Sequence, residues 1–230
     1  MIEFLLLDLD DTILDFQKGE EYGLRKTLLD AGITPTEAIC ARYSQINKTY
    51  WKRLELGEVT REQVMLGRFE TLFNELGVTA DPAVSAAAYM DNMSSVHFFL
   101  PGAEDAVKSL AKRYRLFLVS NGTASAQERR LTNAGLYPYF EQVFISQLVG
   151  VNKPAKEFFD RCFAQIPDFA PEKAMIVGDS LSSDIQGGIN AGIRTCWVNP
   201  AHKTAPAERR PDYEIESITA LEALLEQLSA

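Results

Sequence analysis

Phe4-Leu5-Leu6-Leu7-Asp8-Leu9-Asp10-Asp11-Thr12 is the stretch that decides how this chain is read. Consecutive large apolar residues have the pattern of a core strand. This one runs straight into closely spaced carboxylates, which repel one another and are costly to bury without a cation. Asp8 and Asp10 lie two apart, so in extended backbone their side chains leave the same face. Carboxylates aimed together at a strand end point to a divalent metal, to acid–base chemistry, or to both.

The rest of the sequence bounds the setting. A chain of 230 residues can hold one large domain, or one with a smaller insert. A hydrophobic content of 46% excludes general disorder. The net charge of −9 argues against a nucleic-acid polymer or an anionic membrane as partner. An anionic substrate would then need local cations or a metal. Cys40, Cys162 and Cys196 lack metal-ligand spacing, and their odd number points to reduced thiols in a cytoplasmic protein. The first apolar run has no basic region before it and meets aspartates at once, unlike a signal peptide. No apolar stretch is of bilayer-spanning length.

From Phe16 to Phe98 the periodicity is helical, with helices over Glu21–Leu29, Glu37–Leu56, Arg61–Leu76 and Pro82–Met93. Thr36 and Thr60 are expected as N-caps, Gly32 and Gly77 as stops. After Leu100-Pro101-Gly102 strands and helices alternate. Strands are expected at Leu116–Val119, Val143–Ile145, Ala174–Val177 and Thr195–Val198. Helices are expected over Ala103–Ala111, Ser125–Ala134, Lys156–Ala164, Asp184–Ala191 and Leu221–Leu228. Regular alternation means a parallel sheet covered on both faces. The expected architecture is a doubly wound α/β core, residues 1–15 and 99–230, interrupted by an all-helical cap, residues 16–98.

Ligands of open α/β sheets bind beyond the carboxyl ends of the strands. There the sequence offers Asp8, Asp10 and Asp11, then Ser120-Asn121-Gly122-Thr123, then Lys153-Pro154, then Gly178-Asp179 and Asp184. This is the equipment for binding a phosphate and a divalent cation together. Mg2+ takes oxygen ligands in octahedral geometry and keeps some water. Asp8 and Asp179 offer carboxylate oxygens and Asp10 its backbone carbonyl, while Asp184 is placed to orient a metal-bound water. Asp8 is a candidate nucleophile that would form an aspartyl-phosphate. Lys153 would bring charge to the phosphoryl group, and Ser120 and the Asn121 N–H would hold its other oxygens. Asp10 is the candidate acid and base. Asp11 is expected to be a helix-start or loop residue.

Asp8-Leu9-Asp10-Asp11-Thr12, Ser120-Asn121, Lys153-Pro154 and Gly178-Asp179 with Asp184 resemble the ordered motifs of the haloacid dehalogenase superfamily. The resemblance covers the α/β domain, and an insert after the first motif resembles members with a helical cap. A carboxylate at Asp10 implies phosphate transfer, since the dehalogenases lack one there. Asn47-Lys48 with Trp51, Gly67-Arg68-Phe69-Glu70, and Ser183–Gly192 followed by Thr195-Cys196-Trp197 further resemble the pyrimidine 5′-nucleotidase branch. That resemblance implies hydrolysis of a nucleoside monophosphate. Alternatives are a sugar-phosphate phosphatase or phosphomutase of the same superfamily, and a non-catalytic phosphate-binding protein. The intact set Asp8, Asp10, Lys153 and Asp179 argues against the last.

Each motif has a plainer reading by itself. Aspartates cap helices, Ser-Asn-Gly makes turns, and a lone lysine is a surface charge. Their coincidence at one end of one sheet is what outweighs this. Elsewhere the plainer reading stands. Gly187 and Gly188 are expected to serve close packing, Gly192 a helix stop, and Trp197 the core. His97 and His202 have no catalytic partner in the sequence. Helix packing is the expected role of Phe16, Tyr22, Tyr50, Trp51 and Tyr89. Tyr22 and Trp51 are candidates to stack on a base in the cap. Arg68 is equally readable as a salt-bridged surface residue.

Overall fold

The computed structural model describes residues 1–229. It divides into a unit formed by Met1–Phe16 with the chain from His97 onward, and a unit Gln17–Val96.

The first unit is built on parallel strands β1 (Phe4–Leu7), β2 (Arg115–Ser120), β3 (Gln142–Ile145), β4 (Ala174–Gly178), β5 (Arg194–Val198) and β6 (Tyr213–Ile215). Their order is β3-β2-β1-β4-β5-β6. The order reverses between β1 and β4, which pair as Leu7↔Val177. The crevice of a doubly wound sheet opens at such a reversal.

The helices are α1 (Phe16–Asp30), α2 (Glu37–Glu55), α3 (Arg61–Leu76), α4 (Pro82–Ser94), α5 (Ala103–Leu110), α6 (Ala124–Asn133), α7 (Ser146–Val149), α8 (Lys156–Phe163), α9 (Gln186–Ala191) and α10 (Leu221–Gln227). Strand residues alternate between two cores, as a period of two requires. Leu5, Leu7, Leu116, Leu118, Met175 and Val177 pack with Val107 of α5, Leu131 of α6 and Leu221 of α10. Phe4, Leu6, Phe117, Val119 and Ile176 pack with Phe158, Phe159 and Cys162 of α8 on the opposite face. Each such fully buried side chain contributes roughly 1.5–3 kcal/mol. Gly188 allows α9 its close approach to the sheet, and Gly187 its close approach to α8. A methyl at Gly187 would come within 2.6 Å of the Phe159 ring, and one at Gly188 within 2.6 Å of Ile176 and Thr195.

The second unit holds α2, α3, α4 and all but the first residue of α1. Thr36 caps α2. Thr60 and Gln63 form a reciprocal capping box on α3, and Gly77 ends it in the left-handed conformation. Asp81 caps α4, with Pro82 in its first turn. Tyr43, Phe69 and Tyr89 pack at centroid distances of 5.2–5.7 Å in the interior.

Two elements escaped the sequence reading. The edge strand β6 has three residues, too few for a period to show. The single-turn α7 directly follows β3. Helix Asp184–Ala191 was expected as one piece. The chain instead forms a π-helical turn over Leu181–Ile185 before α9 begins.

Candidate active site

The ends of β1 and β4 lie side by side, and the Asp8 N–H donates to the Val177 carbonyl at 3.0 Å. Asp8 leaves the strand into a tight loop. There Ile13 and Leu14 both donate to the Leu9 carbonyl, at 2.9 Å each. Asp11 has a φ of 55° and accepts the Phe16 N–H at 3.0 Å. It thereby serves the start of α1, as expected.

Carboxylate oxygens of Asp8, Asp179 and Asp184 all lie within 4.8 Å of one another. The Lys153 ammonium, 1% exposed, donates to Asp8 Oδ1 at 2.7 Å, Asp184 Oδ1 at 2.6 Å and the Val119 carbonyl at 2.8 Å. All three of its donors are thereby used. Asp184 reaches this position because the π-helical turn carries it back over β4, where its Oδ2 accepts the Ser180 N–H at 3.1 Å. Gly178 makes the approach possible, since a methyl there would sit 2.3 Å from Asp184 Oδ2. The indole N–H of Trp197 donates to the Asp179 carbonyl at 2.8 Å and pins that loop.

The electrostatics of this cluster are unbalanced. Burial pushes the Asp8 carboxyl up to about 8; Lys153 opposes the shift, while Asp184 and Asp10 add to it. Burial also holds Asp179 well above the usual carboxylate range, reinforced by the charges of Asp184, Asp8 and Asp11. Burial works against the Lys153 charge, but Asp184 and Asp8 outweigh it and keep the ammonium protonated. One ammonium thus faces more carboxylate charge than it can neutralise. A second, oxygen-seeking cation is what this donor set fits.

Asp10 turns elsewhere. Its Oδ1 accepts from Arg130 Nη1 at 2.5 Å and its Oδ2 from Gln127 Nε2 at 2.7 Å. Gln127 Nε2 also reaches Ser120 Oγ at 2.8 Å. Ser120 Oγ further accepts the Gly122 N–H at 3.1 Å. The Asn121 side chain spans to the Lys153 backbone, accepting its N–H and donating to its carbonyl, each at 2.8 Å. Asn121 therefore fixes the loop that presents Lys153.

Gln127, Arg130 and Trp197 were not expected here. Gln127 and Arg130 are three apart on α6, hence on one face. Nothing in one sequence separates Arg130 from its exposed neighbour Arg129. Trp197 was expected only in the core. It is buried there, but its ring nitrogen serves the site.

Among the residues expected in the helical unit, Tyr22 is exposed, and the Arg61 guanidinium lies 5.5 Å from the Trp51 ring centroid. Arg68 is not a surface residue. It is 2% exposed in the interior of its unit, with its guanidinium 4.6 Å from the Tyr89 ring centroid. It donates to Asn47 Oδ1 at 3.0 Å, and Asn47 donates to Glu20 at 2.6 Å. A helical period marks one face of α3 as buried, and Arg68 takes that face through these polar partners.

The family model of haloacid dehalogenase-like hydrolases matches residues 2–192. The chain belongs to this family. It is similar to HAD-hydrolase YfnB of Bacillus subtilis, at 40% identity over 96% of this chain and 94% of that protein. It is 39% identical to pyrimidine 5′-nucleotidase PynA of Streptococcus pneumoniae, over 94% of this chain and 91% of that one. With pyrimidine 5′-nucleotidase YjjG of Escherichia coli it shares 33% identity over 97% of each chain. The crystal structure of YfnB bound to magnesium superposes with a TM-score of 0.93, covering 97% of this chain and 98% of that one. The hydrolase family and the α/β architecture expected from the motifs therefore hold. Among the described residues, no helix is long and apolar enough to cross a membrane.

Proposed function

We propose that this hydrolase is a magnesium-dependent phosphomonoesterase working through an aspartyl-phosphate on Asp8, with pyrimidine nucleoside monophosphates as its substrates. The observation that carries the reading is the cluster of buried Asp8 and Asp184, both paired to the Lys153 ammonium, with half-buried Asp179 beside them and Asp10 two residues beyond the nucleophile. The nucleotide assignment is supported by the likeness to PynA and YjjG over nearly the whole chain.

Asp8, Asp179 and the Asp10 backbone carbonyl would hold Mg2+, with Asp184 beside them. The ion supplies positive charge that keeps Asp8 ionised and offsets charge on the transferring phosphoryl group. The chain's own groups do the rest. An Asp8 carboxylate oxygen attacks phosphorus, and the bond from phosphorus to the ester oxygen breaks. Asp10 gives its proton to the departing oxygen, then takes one from the water that hydrolyses the acyl phosphate. Phosphate leaves and the Asp8 carboxylate returns. Lys153 holds Asp8 in line and offsets charge on the phosphoryl group through its own charge, while Ser120 and the Asn121 N–H donate to the phosphoryl oxygens. Tyr22 and Trp51 are the proposed contacts for the base.

The test is phosphate release with Mg2+ from uridine monophosphate, thymidine monophosphate and a panel of sugar phosphates. The expected result is a higher kcat/KM for the pyrimidine nucleotides. Preference for a sugar phosphate would refute the nucleotide assignment, and an isomerised product in place of phosphate would identify a mutase.

A further inference from the structure

Arg130 is among the largest fully buried side chains of the molecule, yet it carries a permanent charge. Its salt-bridge partner is Asp10, 28% exposed in its side chain. Its Nε finds no partner among the described residues, and its Nη1 serves both Asp10 and Gln127 Oε1. Such a buried pair is weak evidence for stability, since apolar replacements of similar volume often serve as well. Its geometry, however, is specific. Arg130 takes one oxygen of Asp10 and Gln127 the other, while Gln127 also ties down Ser120. The methylene and amide of Gln127 press so closely on Gly122 that a methyl there would approach within 2.4 Å. The bare Cα of Gly122 leaves the space that the Gln127 side chain occupies.

We propose that Arg130 and Gln127 are positioning residues that fix the Asp10 carboxylate in register with Ser120, so that proton delivery and phosphate placement are set by one network. The inference rests on the reading of Asp10 as proton carrier given above. A carboxylate oxygen has two lone-pair sites. Each Asp10 oxygen can thus accept from α6 and still present a second site for the proton. A carboxylate held at both oxygens cannot rotate about its terminal bond, and general acid–base catalysis depends on that orientation.

The test compares kcat/KM for two phosphomonoesters with Mg2+ present. One is p-nitrophenyl phosphate, whose leaving group is stable as an anion; the other is uridine monophosphate, whose alkoxide must be protonated as it departs. The parameter kcat/KM reports the steps up to loss of the leaving group. In Gln127→Met and Arg130→Met, kcat/KM for the nucleotide should fall about 10²-fold, while that for the aryl ester falls less than about 10-fold. Arg130→Lys keeps the buried charge and serves if Arg130→Met does not fold; it should show the same selective loss. A purely structural role would lower both esters alike. Equal losses, or no loss, in the folded variants overturn the positioning role while leaving the Asp8 chemistry intact. A wild type that hydrolyses neither ester refutes instead the function on which the inference rests.

Discussion

Gly178→Ala is the substitution whose consequence follows most directly from the geometry. The added methyl would lie 2.3 Å from Asp184 Oδ2 and 2.4 Å from its Cγ, where ordinary contact begins at 3.4 Å. Gly178 is held at the end of β4 by its pairing with Trp197 of β5, next to Val177, which pairs with β1. The carboxylate must therefore retreat by about 1 Å, a form of overpacking that costs about 1–3 kcal/mol. Its 2.6 Å bond to Lys153 would then stretch beyond hydrogen-bond reach. For a chain of this size the loss corresponds to a fall in Tm of about 2–12 °C. Function should suffer more. Displacing a group beside the metal ligands weakens metal binding about 10–100-fold. Misplacing the reacting constellation by this much costs about 10²-fold in rate. Hydrolysis of uridine monophosphate across a Mg2+ titration, with calorimetric melting of the same protein, measures all three. A Gly178→Ala protein matching wild type in kcat/KM and in half-saturating Mg2+ would refute the placement of Asp184 in the cluster.

Other consequences are open to simpler measurements. Burial raises Asp8 to about 8 in the metal-free protein, against the pull of Lys153. A carboxyl raised on folding contributes stability that is complete below its unfolded pKa and is lost as pH climbs through the folded one. The Tm of EDTA-treated protein should therefore decline between about pH 4 and pH 8, and Asp8→Asn should flatten that decline. A Tm profile unchanged by Asp8→Asn would contradict it. Lys153→Met strands the buried Asp184 carboxylate, so urea unfolding at neutral pH should show a loss of about 3–5 kcal/mol. An unchanged midpoint and slope would deny the ion pairs any weight. Trp197→Phe removes the donor to the Asp179 carbonyl and should weaken Mg2+ binding roughly 10-fold with the fold intact, as read by calorimetric titration. Cys162 and Cys196, pushed up to about 12 by burial, should resist alkylation until the protein unfolds; rapid labelling of either in native protein would count against their burial.

What the sequence disclosed follows from the range of the interactions involved. An unbroken apolar run is a local signal, so Phe4–Leu7 and Ala174–Val177 announced themselves as strands, and the switch to helical periodicity marked the insert. Asp8, Asp10, Ser120 and Asp179 were legible because each lies at or just past a strand end, and parallel strands deliver their carboxyl ends to one edge; Lys153 reaches that edge by way of α7, which follows β3. Partnerships across the fold were not legible. Arg130 meets Asp10 across 120 positions and Lys153 meets Asp8 across 145. The turn that swings Asp184 onto Lys153 depends on the bare Cα of Gly178, which in sequence is an ordinary strand-end glycine. Arg68 misled because a charged side chain in an amphipathic helix reads as solvated, whereas Asn47 and the aromatic rings of Tyr43, Phe69 and Tyr89 accommodate it inside.

The central claim is that Asp8 carries the phosphoryl group. Radiolabelled uridine monophosphate, mixed with enzyme and Mg2+ and quenched in acid within one turnover, tests it directly by mass mapping of the labelled peptide. The account predicts a hydroxylamine-sensitive label on the peptide containing Asp8, its loss on chelation of Mg2+, and no label or turnover in Asp8→Asn. Full turnover in Asp8→Asn, or wild-type turnover with the label on another residue, would contradict it.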